Sequence, residues 1–350
     1  MKERSSIRFP VIDGFKAIAS QLIVLHHLAA YGPISTAVQQ AAPVLIDWLY
    51  DYARMAVQVF FVIGGYLAAR SMFSNTASMP LLTINLINRY LRLVVPFFFA
   101  LLLAIFCAFV ARQLLADDFI PSAPELLQIL ANVFLLHGIL DVDSLSAGAW
   151  FIAVDFQLFL MMLAIAWLGG SRVDSRTIIL VMVTLLAAVS LFWFNRHAGY
   201  DDWAIYFFGA YGMGAMAYWA GRGKQQAAWF WLTLAIALAA LFVDFRLRIL
   251  IAAAVAFILF LTRDVQIREQ FRLQKITYYL GKISYALFLV HFSVVMFANT
   301  VFGWLKLSDP VTGSVFMLFS WLASLLLADI FYRRIEKPAV TVLKLSISGK

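Results

Sequence analysis

Apolar residues follow one another in long blocks, cut by short polar or Gly/Pro clusters, and ten blocks approach the ~20 residues that a membrane crossing needs. They fall near 12–32, 52–70, 93–115, 149–169, 177–194, 203–221, 227–243, 247–262, 277–300 and 311–331. Only Asp244, Phe245 and Arg246 separate the seventh block from the eighth, which predicts a tight helical hairpin. Between residues 116 and 148 the pattern is mixed. Its middle, Leu126 to Leu140, is apolar but too short and amphipathic for a crossing, and reads as an interfacial or re-entrant extracytoplasmic segment. No tandem or inverted repeat and no linker-like stretch divides the chain. The pattern predicts an all-α polytopic membrane protein with about ten transmembrane helices, one domain over residues 1–350 and no additional soluble domain.

Composition agrees with that pattern. Of 350 residues, 63% are apolar and 13% charged, against ~45–50% and ~25% in soluble domains. The single cysteine, Cys107, rules out an intrachain disulfide and a two-cysteine metal site, and no metal is expected. A formal charge of +8, from 27 Lys and Arg against 19 Asp and Glu, would suit nucleic acid, but its distribution points elsewhere. With the amino terminus cytoplasmic, the inner ends and loops hold 21 of the 27 cations, including Arg263, Arg268, Arg272 and Lys275. The outer side keeps Arg54, Arg112, Arg196, Arg246, Arg248 and Lys306. This asymmetry is the positive-inside pattern, so both termini are expected in the cytoplasm and the charge is expected to serve membrane lipids rather than nucleic acid. The first block carries Asp13 and Lys16 near its start, His26 and His27 near its end, and no small-residue cleavage pattern. It is therefore expected to stay as a transmembrane helix rather than be removed as a signal peptide.

Ionisable groups inside a membrane are costly and default to functional candidates. At ~100° per residue, the eleven positions from Lys16 to His27 leave the two side chains ~20° apart, so Asp13, Lys16, Ser20 and His27 form one polar stripe. His27 sits ~16 Å above Lys16, in the extracytoplasmic half. It is either a catalytic imidazole or a histidine satisfied by a neighbouring helix. Asn85, Arg89 and Arg92 follow an i, i+4, i+7 pattern at the cytoplasmic face, suited to a polyphosphate ligand or to anionic lipid head groups. Asp155 lies ~9 Å below the outer end of its helix, the depth of His27. It can orient the imidazole there, or pair with Arg54 or another outer-half cation for structure. Ser284 and His291 share a face of the ninth block, where packing and chemistry are equal readings. His137 and His197, in outer segments, are further candidates for substrate contact.

Several segments together resemble the acyltransferase-3 family of integral-membrane O-acyltransferases. Asp13-Gly14-Phe15-Lys16-Ala17-Ile18-Ala19 with the following His27 resembles its D-G-[LF]-R-[AG]-[IL]-A run and histidine. Phe60 to Leu67, Arg89 to Pro96, Trp150 to Phe159, Leu280 to His291 and Glu336-Lys337-Pro338 resemble five further family segments, in family order from residue 13 to 338. Lys16 stands where the family usually has Arg, losing the planar fork but keeping a cation. Asp155 stands where Glu is usual, one methylene shorter.

The resemblance implies an acyl-CoA donor, acetyl-CoA first among them, on the cytoplasmic side. It also implies a hydroxyl of an extracytoplasmic polysaccharide or lipid-linked sugar as acceptor, in a bacterial cytoplasmic (inner) membrane. The catalytic residues would be His27 as base or acyl carrier, Asp155 holding the imidazole and Lys16 orienting the donor's polar groups, and Lys16, Arg89, Arg92 and Asn85 would bind the donor. Arg54, Trp150, Ser284, Tyr285 and His291 are the expected substrate-binding residues. A secondary transporter of a glycolipid or anionic solute also uses buried polar groups and basic inner faces, but predicts repeat symmetry and interrupted helices in matching halves. A membrane glycosyltransferase predicts large acidic outer loops.

Overall fold

The computed structural model describes residues 10–72, 79–170, 175–263 and 272–348. Among the expected inner-face cations, Lys2, Arg4, Arg8, Arg172, Arg268 and Lys350 lie outside the described residues. The helices are α1 (Pro10–Ala30), α2 (Gly32–Gln39), α3 (Pro43–Tyr52), α4 (Val57–Met72), α5 (Met79–Leu114), α6 (Leu126–Val133) and α7 (Ala149–Gly169). They continue as α8 (Ser175–Phe192), α9 (Ala204–Trp219), α10 (Lys224–Val243), α11 (Leu247–Leu261), α12 (Arg272–Trp304), α13 (Pro310–Phe331) and α14 (Lys337–Ser348). No strand occurs among the described residues.

Each expected block is a helix here, and α10 and α11 are joined through Asp244, Phe245 and Arg246. Among the described residues seven helical segments are long and apolar enough to cross a membrane, or eight if α1 and α2, bent by 85°, form one span. The chain is thus a multi-pass membrane protein. The expected ten exceeds this because α11 has 15 residues and α9 only 16, short of a full crossing. Helix α9 is nevertheless buried almost throughout, the enclosed centre of the bundle.

Two seams fix the site. In the first, α1 and α12 run side by side in the same direction. A Cβ on Gly281 would meet the Asp13 carbonyl oxygen at 2.5 Å, so only glycine lets the two backbones approach there. Farther along, the amide of the fully buried Asn299 accepts from the Ile34 N–H at 2.9 Å. It occupies the space beside Gly32, whose φ of +75° makes the α1–α2 bend. In the second seam, α4 and α9 cross backbone to backbone and antiparallel. A methyl at Gly65 would overlap the Tyr211 carbonyl, and one at Gly214 the Val62 carbonyl. The Gly64-Gly65 pair is therefore a helix-contact device.

Helix α5 contains Pro96, which removes one helical hydrogen bond, and in that region Tyr285 of α12 donates to the Leu93 carbonyl at 2.8 Å. Between α13 and α14 the chain makes one π-helical turn, Tyr332–Glu336, a distortion frequent at functional sites.

The mixed stretch folds as α6 and a series of turns up to α7. Within it His137 is 2% exposed, and both its ring nitrogens are buried without a hydrogen-bond partner. Burial holds the imidazole down at about 4. An unfolded histidine titrates near 6.5, so between these values the unfolded chain binds the extra proton. Stability from this group is fully present above about pH 6.5 and is lost as pH falls to about 4, by up to roughly 3 kcal/mol. Thermal unfolding in detergent from pH 4 to 7 should show the fall, and His137→Leu should flatten it. An equal slope in both proteins would contradict this.

Candidate active site

Between α1, α4, α5, α7 and α12 lies a cavity of about 440 Å³. One end is basic: Lys16 of α1 and Arg92 of α5 line it with Glu336 from the π-helical turn, and Lys16 and Arg92 both lie in the field of that carboxylate. The other end is apolar, walled by Phe60, Phe151 and Phe288. The three rings interlock, Phe60 to Phe151 at 5.9 Å between centroids and Phe151 to Phe288 at 5.0 Å. Asn85, Asn88, Ser284 and Tyr285 supply neutral hydrogen-bonding groups to the lining. Two polar atoms of lining residues, Arg89 Nε and Glu336 Oε2, are buried without a hydrogen-bond partner, as expected of a site that receives polar groups from a ligand.

Arg89 is held by Asp155. The two form a close salt bridge within the cavity wall, with the guanidinium also 5.5 Å from the centre of the Phe159 ring. This corrects the reading that paired Asp155 with His27, and its rival that paired it with Arg54. Equal depth along two helices does not fix which neighbour each residue faces, and α7 turns Asp155 toward α4 and α5, beside Gly64. The glycine matters chemically as well: a Cβ there would approach Asp155 Oδ1 to 3.1 Å. One arginine is therefore committed to a carboxylate, while Lys16 and Arg92 face Glu336 at the basic end.

His27 pairs instead with a second histidine. Its Nδ1 lies 3.1 Å from His291 Nε2 and 2.9 Å from the Ile23 carbonyl oxygen, while His291 Nδ1 lies 3.0 Å from the Leu287 carbonyl oxygen. Carbonyl oxygens only accept, so in the neutral rings both Nδ1 atoms carry the proton. It follows that His291 Nε2 is the acceptor that faces His27 Nδ1–H, and that His27 Nε2 keeps a free lone pair. Both rings are buried, and Tyr31 stacks on His27 with centroids 5.7 Å apart and planes 3° from parallel. The pair adjoins the apolar end of the cavity, since the Phe288 ring is 6.1 Å from that of His291. Such a dyad can take a proton at His27 Nε2 and stabilise the resulting imidazolium through the Nδ1–H bond to His291.

The structure brings Lys16, Asn85, Arg89, Arg92, Asp155, Ser284 and Tyr285 into one cavity, with His27 and His291 just beyond its apolar wall. Ser20, in the same stripe, donates to its own helix at the Ala17 carbonyl. Trp150 packs against Phe207 at 5.8 Å and does not line the cavity. Arg54 is exposed, within electrostatic reach of His26 and away from Asp155. His197 is exposed and bonded to the Trp193 carbonyl. Sequence reasoning missed Asn88, which the angular count that found Asn85 and Arg92 could have placed on the same stripe. It also missed Glu336 as a lining residue: the Glu336-Lys337-Pro338 segment had drawn notice, but hydropathy gives no sign of the π-helical turn that carries Glu336 to the cavity.

Among the described residues no group of three or more His, Cys, Asp or Glu could hold a metal ion. Comparison with curated proteins and with solved structures gave no match. Residues 9–333 match the family model Acyl_transf_3, an acyltransferase domain, and this match spans both seams, the cavity from Lys16 to Phe288 and the histidine pair. The chain belongs to the acyltransferase-3 family.

Proposed function

We propose that this protein is a membrane-embedded O-acyltransferase that moves an acyl group, acetyl foremost, from cytoplasmic acyl-CoA to a hydroxyl of an extracytoplasmic polysaccharide or lipid-linked sugar. One observation carries the reading: a cavity with cations at one end has an aromatic wall at the other, and behind that wall stands an imidazole with a free Nε2 lone pair. At about 440 Å³ the cavity suits a slender arm rather than a whole nucleotide thioester. The phosphates then belong at the basic end with Lys16 and Arg92, and the thioester reaches the edge of Phe288.

The chemistry follows from the tautomer. His27 Nε2 takes the proton of the acceptor hydroxyl, whose oxygen attacks the thioester carbonyl. The C–S bond breaks as the new C–O bond forms, and the departing thiolate recovers the proton from His27 Nε2. His291 holds the ring and stabilises its charged form, which a carboxylate does in better-known base-orienting pairs. The same lone pair can accept the acyl group first, and labelled protein trapped without acceptor distinguishes that route. Arg89, fixed by Asp155, serves to position the donor.

The direct test is incubation of the purified protein in nanodiscs with acetyl-CoA labelled in the acetyl group, with and without envelope glycans from a deletion strain. Label is expected in the glycan fraction. Acetyl-CoA left intact in every mixture would overturn the assignment.

A further inference from the structure

We infer that Phe288 is the residue that limits acyl-chain length. The inference rests on the acyl-CoA reading above and deepens it. Phe288 and Ile152 line the donor cavity and also border a second void on their far side, formed with Phe97, Leu101, Gly148 and Leu289. That void is too narrow for a water molecule, and its Phe97, Leu101, Ile152 and Leu289 side chains are all at most 4% exposed. Apart from the Ser146 hydroxyl, which also borders it, the void has the lining of an alkyl-chain slot, shut by one aromatic ring.

Gly148 sets where that ring stands. It borders the far void but not the cavity, and a Cβ there would meet the edge of Phe288 at 2.8 Å. The glycine lets the ring lean away from the cavity by the width of a methyl group. With the ring in place, a two-carbon acyl group ends against it. A longer chain has no room ahead, because Phe151 and Phe60 close the sides.

In an apolar pocket each methylene changes discrimination by about 10-fold or more. Phe288→Ala joins the cavity to the void and is expected to raise the butyryl-to-acetyl ratio of kcat/KM at least about 10-fold. Gly148→Ala pushes the ring toward the cavity and is expected to lower the same ratio. The assay uses acetyl-, butyryl- and octanoyl-CoA, labelled in the acyl group, with the same envelope glycans and protein in nanodiscs. Phe288→Leu, which keeps an apolar side chain, carries the test if Phe288→Ala does not fold. Wild type that transfers acetyl, with ratios unmoved in the folded Phe288 variant and in Gly148→Ala, would overturn the inference alone. Wild type that transfers no acyl group from any thioester would overturn both it and the function on which it rests.

Discussion

Replacing His27 with alanine is expected to cut acyl transfer by about 10³-fold, within the 10²–10⁴ range that a positioned acid–base group contributes. The size of the loss follows from the proposed role: the bare Nε2 would take the acceptor proton, while Nδ1 is bonded to the Ile23 carbonyl and faces His291. The His291 substitutions sharpen the test. His291→Leu removes the acceptor facing His27 Nδ1–H and should lower kcat by about 10–100-fold, less than loss of the base itself, because the imidazole remains and only its orientation and charged form lose support. His291→Gln restores an acceptor oxygen and should recover much of it. A merely structural His291 would give no such rescue. Folding is checked by size-exclusion elution of the detergent-solubilised proteins, which His27→Ala should leave unchanged.

The second large effect is on the ion pair. Asp155→Asn strands the Arg89 guanidinium in the cavity wall, and loss of one partner of a buried pair costs about 3–5 kcal/mol. Arg89 keeps partial access to the cavity, with its side chain 26% exposed, so the lower end of that range is expected. In a double-mutant cycle, Arg89→Leu and Asp155→Leu should be strongly non-additive in stability and in donor KM. Asp155→Leu and His27→Ala should be additive in stability. Coupling between Asp155 and His27 with none between Asp155 and Arg89 would mean that the carboxylate orients the imidazole after all.

The sequence carried the bundle well because each crossing is written in its own local hydrophobicity. The ten blocks are helices, and even the three-residue hinge Asp244–Arg246 lies where the polar interruption put it. The site was legible to the extent that it obeys helical spacing. Lys16, Asn85, Arg89 and Arg92 were found by angular counting and share one cavity. Angular counting gives a residue's face and depth on its own helix but not its lateral neighbour. Asp155 and His27 match in depth, yet α7 faces α5 and α1 faces α12, so their partners became Arg89 and His291. The glycines that set those neighbours, Gly65, Gly214 and Gly281, act through backbone contact with distant helices, which hydropathy does not register. Helices α2, α3 and α14 were missed for a different reason: each is short or polar enough to vanish in a pattern read for crossings.

The most direct measurement is a structure of the protein bound to a hydrolysis-resistant thioether analogue of acetyl-CoA. The phosphates are expected beside Lys16 and Arg92, and the arm along the cavity. The carbonyl should sit at the Phe288 edge, separated from His27 Nε2 by room for one hydroxyl. An analogue bound outside this cavity, or lying in it with its carbonyl turned from the histidine pair, would contradict the account.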